Sequence, residues 1–362
     1  MADGITETVE AKGAETPALS LGSRLKVIAV RLRVPGLIMV PILVFLLSVT
    51  LGRYPVSLGE LFTLFGAKLG LTDATVSPEV ATVILNVRLP RIFAAMLIGA
   101  GLALSGAAYQ GMFRNPLVSS DILGASAGAG FGAALGIMLS KSVIVTQFLA
   151  LGFGLVAVLA TYMLAGRIRR GDPTLFLVLT GILVGTVFTS LISILKVLAD
   201  PSDKLPTITF WLMGSLAAVN RQDILILIGP MLVGGIALLV VRWHLNPLSF
   251  GEEEAQAMGS ETTKMRIIVI GACTLMTASA VAVAGIVGWV GLIIPHVARG
   301  LVGPDYGRLL PVSAVIGGVY LLLIDDIARL AGALEIPLGI LTALIGAPFF
   351  IFLLARTRRA WT

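Results

Sequence analysis

Long apolar runs alternate along this chain with short polar breaks, and each long run is sufficient to cross a bilayer as a helix. About twenty apolar residues at helical rise cover the roughly 30 Å of hydrocarbon. The pattern predicts ten membrane helices, at about residues 35–51, 89–112, 117–139, 144–165, 173–198, 224–243, 265–284, 286–298, 309–327 and 337–355. Some are short or broken, notably the eighth, which carries Gly288, Gly291 and Pro295. A helix-like piece at 208–218 belongs to the connection after the fifth helix. Residues 1–33 read as a disordered tail, 34–358 as the membrane domain and 359–362 as a polar end.

Composition sharpens the class. Of 362 residues, 57% are hydrophobic and 13% charged, against about 25% charged in soluble domains. Mean hydropathy is +0.99. This is the profile of an all-α polytopic membrane protein. The net charge of +6 does not point to nucleic acid, because the charges lie between apolar segments, where they set topology. With both termini cytoplasmic, 16 of the 26 Lys and Arg fall on the cytoplasmic side and 9 outside, with Lys12 in the tail. Arg167, Arg169, Arg170, Arg356, Arg358 and Arg359 are the strongest markers. The first twenty residues lack the apolar core of a secretory signal. Cys273 stands alone and the two histidines, His244 and His296, are far apart, so neither a disulfide nor a metal site is expected.

The stretch from Arg88 to Gly132 carries the most information. Two arginines open it, a Gly- and Ala-rich apolar run follows, and Arg114-Asn115-Pro116 breaks the run before a second glycine-dense segment. Glycine weakens an ordinary helix, but in a bilayer small residues let helices meet backbone to backbone. Polar breaks survive there only where protein or a cavity shields them. The stretch reads as the wall of a conduit. Gln110, Gly124, Ser126, Gly128 and Gly130 are candidates to line it, each equally placed for helix packing. Helices two to five and seven to ten each contain a glycine-interrupted short segment and enter the membrane from opposite sides, as inverted repeats do.

Other chemistry is missing from the sequence. No GxxxxGK[ST] phosphate loop is present, so the chain is not expected to bind ATP itself. A secondary transporter needs a titratable group near the membrane centre, and none is placed there securely. An intramembrane enzyme needs a catalytic pair, and Asp325-Asp326, the adjacent acidic pair on a membrane helix, sits at that helix's end beside Arg329. No catalytic residue is assigned.

Two polar features remain. The loop 246–264 contains Ser249 three residues before Glu252, which predicts a capping box. Glu252, Glu253 and Glu254 suit a first helical turn, and Gly259 supplies a stop. The result is a short helix too polar for lipid, either a plain connector or a docking element. On the outer side, Arg88, Arg91 and Arg329 lie against the topological bias. They fit snorkelling ends and an i,i+4 pair with Asp325, or a basic rim for an acidic partner.

RLPR at 88–91, Gln110-Gly111, Asn115-Pro116-Leu117 and Leu123-Gly124 resemble the FecCD/BtuC-type permeases, the membrane subunits of type II ABC importers for iron–siderophores, haem and cobalamin. GLIIPHVARGLVGPD at 291–305, DDIAR at 325–329 and EIPLGILTALIGAPFFIFLL at 335–354 extend the resemblance to nearly the whole chain. It implies a BtuC-like fold, a homodimer in the bacterial inner membrane, two ATPase subunits that use ATP and Mg, and a periplasmic binding protein. This chain would bind no cofactor. The implied cargo is a metal chelate, ferric siderophore first, then haem or cobalamin, with an oxyanion such as molybdate remote. A secondary transporter and an intramembrane enzyme are the alternatives. Gly251, Ala255 and Gly259 keep the family's Gly-x-x-x-Ala-x-x-x-Gly spacing, which with Glu252, Glu253, Glu254 and Met258 implies the ATPase-coupling surface. Arg88, Arg91 and Arg329 match the positions that dock the binding protein.

Overall fold

The structure, a computed structural model, describes residues 21–167, 173–332 and 334–357. The expected tail through residue 20, Arg169, Arg170 and the polar end fall outside the described residues, among which every regular element is helical. In chain order these are α1 (Leu21–Thr50), α2 (Leu58–Lys68), α3 (Pro78–Thr82), a π-helical turn (Val83–Arg88), α4 (Leu89–Met112), α5 (Ala125–Leu139), α6 (Val143–Arg167), α7 (Pro173–Leu198) and α8 (Lys204–Met213). Then follow α9 (Arg221–Val241), a 3₁₀ turn (Arg242–His244), α10 (Leu245–Leu248), α11 (Glu252–Ala257), α12 (Thr262–Ala284), α13 (Val290–Val302), α14 (Tyr306–Leu330) and α15 (Leu338–Thr357).

Among the described residues, six helical stretches are long and apolar enough to cross a membrane: Pro78–Met112, Val143–Arg167, Pro173–Leu198, Arg221–Leu248, Thr262–Ala284 and Tyr306–Leu330. Four apolar helices are shorter, at Pro35–Thr50, Ala125–Leu139, Val290–Val302 and Leu338–Leu353.

Several boundaries differ from the sequence expectation, each for a local reason. Helix α1 starts at Leu21, inside the expected tail, and runs through Pro35 and Pro41. The connection between the first two expected helices holds α2, α3 and the π turn, so the helix expected at 89–112 extends back to Pro78. Helix α5 starts at Ala125 and not near 117. Asn115 accepts a hydrogen bond from the Leu117 N–H (2.9 Å) and the Gly124 N–H donates to Asp121 (2.8 Å), which keeps the intervening backbone in turns. Gly124, at φ 86°, then opens the helix. Helix α12 stops at Gly285, and α13 begins only at Val290, behind Trp289 at φ 70°. The piece expected at 208–218 is α8, ended by Gly214.

Close backbone contact organises the bundle. Gly128, Gly132 and Gly136 repeat every fourth residue along one face of α5. A Cβ on them would overlap the Phe153 carbonyl, the Leu149 carbonyl and Thr146 of α6 respectively. Helices α4 and α14 run antiparallel, with Gly99 and Gly317 each meeting the other's backbone. Gly106 of α4 lies against the Gly291 carbonyl of α13. Lipid tails are as apolar as leucine, so such contact supplies much of the attraction between membrane helices. The arrangement repeats: α4 packs on α13 and α14, while α12 packs on α5 and α6. The two short helices α5 and α13 both follow a residue in left-handed conformation.

Gly106→Ala is expected to destabilise the bundle by about 1–3 kcal/mol, the usual cost of overpacking. Gly152→Ala, with nothing within 4 Å of the new methyl, is expected to be neutral or slightly stabilising. Thermal unfolding in detergent compares them; equal melting temperatures would refute this account of the α4–α13 contact.

Candidate functional site

One end of the α4–α14 pair holds a buried ionic cluster. Arg91, two residues into α4, forms a fork with Asp325 of α14, its Nε at 2.9 Å from Oδ2 and its Nη2 at 2.9 Å from Oδ1. The same guanidinium reaches Glu335, in the segment before α15, at 3.0 and 2.8 Å. Arg329 donates to Asp326 and, at 3.0 Å, to Ser48, whose hydroxyl donates to Asp326 at 2.7 Å. Its Nε stands 3.4 Å from Asp325. Arg88 donates to the carbonyls of Val49, Thr50 and Tyr54. Those of Val49 and Thr50 belong to the last turn of α1, where helix carbonyls lack partners and the dipole favours a cation.

The three arginines considered for a basic rim are thus paired inside the chain and do not stand free at its surface. Asp325 is 0% exposed, and Arg88, Arg91 and Arg329 are all buried. Arg91 and Arg329 pair with Asp325, Asp326 and Glu335 while Arg88 is held by carbonyls, and the three positive and three negative charges of this end balance, as buried charge must. The expected i,i+4 pair of Arg329 with Asp325 exists, but as one contact within this cluster and not on an exposed helix. Sequence reasoning missed Glu335, because the pairing crosses 244 positions.

At the opposite end lies the polar loop. The expected capping box is absent: Ser249 donates to the Asn246 carbonyl (2.7 Å), closing α10, and Gly251 stands at the N-cap of α11 without a side-chain cap. Glu252 turns instead to Arg266 (2.7 Å) and accepts from Thr262 (3.3 Å), which pins α11 to the start of α12. Gly259 does end the helix, at φ 80°. Its N–H donates to Gln256 and that of Ser260 to Ala255, a Schellman closure. Ala255 is buried under the turn, whereas Met258 and the unanticipated Phe250 are 56% and 70% exposed.

Side-chain ties link this loop to the bundle. Asn246 donates to Asp305 (2.8 Å) and accepts from the Tyr306 N–H (2.9 Å), clamping α10 to the first turn of α14. Gln110 donates towards the carbonyls of Val118, Gly291 and Leu292 at 3.3–3.4 Å and accepts from Arg299 at 3.1 Å.

A groove of about 530 Å³ runs between the turn before α5 and one face of α7. Ser119, Asp121 and Gly124 line one side; Thr186, Thr189, Ser190 and Ser193 line the other. Those four hydroxyls recur at helical spacing on an exposed face. Each donates to the carbonyl one turn back, at 2.9, 2.9, 3.0 and 3.1 Å. Such back-bonding satisfies the donor and leaves a smooth, mildly polar strip. The sequence signal was available as a three- and four-residue recurrence of hydroxyls, but apolar residues outnumber them along α7.

Of the residues considered for the conduit wall, Gly124 borders this groove and Ser126 is half-buried. The others sit in the packing positions that were equally open to them. Gln110 is consumed in buried hydrogen bonds, Gly128 is covered by α6, and Gly130 faces Leu212, Ile192 and Ile286. Close packing claims these positions because a bulkier residue would force the helices apart.

A bundle of apolar helices cemented at glycines, several long enough to cross a membrane, is the architecture of a multi-pass membrane protein. The chain belongs to the FecCD transport family, whose model matches residues 39–356. It is 40% identical over 326 residues to the molybdate import system permease protein of Haemophilus influenzae, covering 90% of this chain and 95% of that one. It is 40% identical over 279 residues to the cobalamin import system permease protein of Halobacterium salinarum, covering 76% and 74%. Its fold matches a solved structure described as an inward-facing conformation of a putative metal-chelate type ABC transporter. The TM-score there is 0.80, with 38% identity over 89% of this chain and 98% of the other.

Replacing Asp325 by alanine is expected to cost about 3–5 kcal/mol by stranding a buried charge, read as a lower melting temperature. Replacing both partners, Arg91→Met with Asp325→Leu, is expected to recover most of that loss. An equal loss in both proteins would refute the pairing as the reason these charges are tolerated.

Proposed function

We propose that this chain is the membrane-spanning subunit of an ATP-driven importer that passes a metal chelate from periplasm to cytoplasm. The observation that carries this reading is the pairing of a hydroxyl-lined groove on the face of α7 with a partly apolar loop clamped to the membrane helices at one end. In this reading ten helices span the inner membrane, with both termini cytoplasmic, and two copies of the chain flank the passage. The four shorter apolar helices supply the spans beyond the six long ones. The matching left-handed starts of α5 and α13, and the repeated packing of α4 and α12, support an inverted repeat.

The α10–α11 loop is the coupling surface to a separate ATPase. Phe250 and Met258 are its apolar anchors, Glu253 and Glu254 its charged face, and Asn246 transmits its movement to α14. The arginine end receives a periplasmic binding protein. Glu335, 30% exposed, is the member of the Arg91 pairing that reaches solvent, so a docking partner approaches Arg91 past it. The hydroxyl strip of α7 offers many weak contacts, which suits a cargo that must leave as readily as it enters.

Ferric siderophore is the first cargo reading, followed by haem and cobalamin. The molybdate oxyanion is a second reading, favoured by the 40% identity over 95% of the Haemophilus permease. Proteoliposomes holding the permease, its ATPase and its binding protein discriminate among them when offered each labelled cargo. Uptake of one cargo that needs both ATP and the binding protein is expected; uptake driven by an ion gradient alone would overturn the proposal. Phe250→Ala, which removes an aromatic anchor, is expected to weaken ATPase binding by about 2 kcal/mol, on the order of thirtyfold. Unchanged ATPase affinity in lipid nanodiscs would refute that placement of the coupling surface.

A further inference from the structure

Helix α2 has a face that neither the bundle nor the transport reading uses. Ser57 caps it with a full capping box: its hydroxyl accepts from the Glu60 N–H (3.2 Å) and Glu60 accepts from the Ser57 N–H (2.8 Å). Leu61 and Leu64 are buried and join the main core, which includes Val56 and Val80. Leu58, Phe62, Phe65 and Leu69 are exposed, the last three at 65%, 37% and 72%. Their spacing of four, three and four residues aligns them as one stripe. At about 100° per residue, the stripe lies roughly a quarter-turn from the buried face. Glu60, Thr63 and Ala67 fall on the far side. The helix therefore has three faces, one against protein, one apolar and open, one polar.

The stripe follows, within a few residues of chain, an apolar helix that is itself exposed along one side. Val40, Leu43, Leu47 and Leu51 of α1 and its end are all exposed at helical spacing, and exposed Tyr54 follows them in the seven-residue connection to Leu58. A hydrophobic face beside a spanning helix, with an aromatic and Lys68 at its margins, has the composition of a segment lying in the membrane interface. A protein partner would require this face to break from the lipid-facing surface of α1, and no polar rim marks such a break.

We propose that α2 lies flat in the phospholipid interface at the arginine end, with Leu58, Phe62, Phe65 and Leu69 in the acyl-chain boundary and Thr63 towards water. It thereby tethers the α1–α4 connection, and with it the Arg88 contact to α1, to the membrane surface. This holds independently of which cargo passes and of what drives it.

The test uses the full-length protein in nanodiscs of phosphatidylethanolamine and phosphatidylglycerol, spin-labelled singly at Phe62→Cys, Phe65→Cys or Thr63→Cys. Cys273 is fully buried and stays unlabelled. Accessibility is read by power saturation with oxygen, which partitions into lipid, and with a water-soluble nickel chelate. The expected result is several-fold higher access for oxygen than for nickel at 62 and 65, and the reverse at 63. Nickel access at all three positions would overturn the proposal by placing the stripe in water. Exclusion of both reagents at 62 and 65 would overturn it in favour of protein cover, such as a second copy of the chain.

Discussion

The structure depends on the backbone contact of α4 with α14 and α13. In hydrocarbon no water is released when helices associate, so attraction must come from close dispersion contact and from satisfied polar groups. Gly99 against Gly317 and Gly106 against Gly291 supply that contact. The antiparallel register they fix has consequences at both ends. Eight residues from the Gly99–Gly317 contact on each helix, about 12 Å away, Arg91 faces Asp325. Towards the other end, the Gly111 backbone lies against the Tyr306 ring, and Gln110 reaches the Gly291 carbonyl. One glycine contact thus sets the position of both polar clusters.

The two ends differ in character. At the arginine end, charge is buried, balanced and shared among α1, α4, α14 and the segment before α15. Such a cluster tolerates little change in geometry, because moving one member leaves another unpaired in a medium that cannot screen it. At the loop end the ties are neutral or partly exposed: Asn246 to Asp305, Glu252 to Arg266, Gln110 to Arg299. These bonds exchange with water at modest cost. A bundle fixed firmly at one end and held by exchangeable contacts at the other is suited to transmit a movement imposed on the loop.

The groove beside α7 shows why lining residues were hard to find in the sequence. In α5, glycine is the residue of helix packing, and its face towards α6 is occupied at Gly128, Gly132 and Gly136. The polarity of the groove comes instead from hydroxyls on α7, which leave no mark in hydropathy because each is outweighed by apolar neighbours. Likewise Ser249 and Glu252 have the spacing of a capping box, yet Arg266 and Thr262, present only in the folded chain, compete for the Glu252 carboxylate and win it.

The sequence by itself determined the membrane class, most of the long apolar helices, the shortness of the eighth helix, the polar loop at 246–264 and the family. Those features follow from local hydropathy, from glycine and proline, and from contiguous motifs. Only the tertiary structure decided that Arg88, Arg91 and Arg329 are buried and matched by Asp325, Asp326 and Glu335. It alone showed that Gln110, Gly128 and Gly130 belong to packing, and that the segment between α1 and α4 contains a capped helix with an open apolar face. Burial and pairing depend on which residues meet across more than two hundred positions of chain, and one-dimensional patterns carry no term for that meeting.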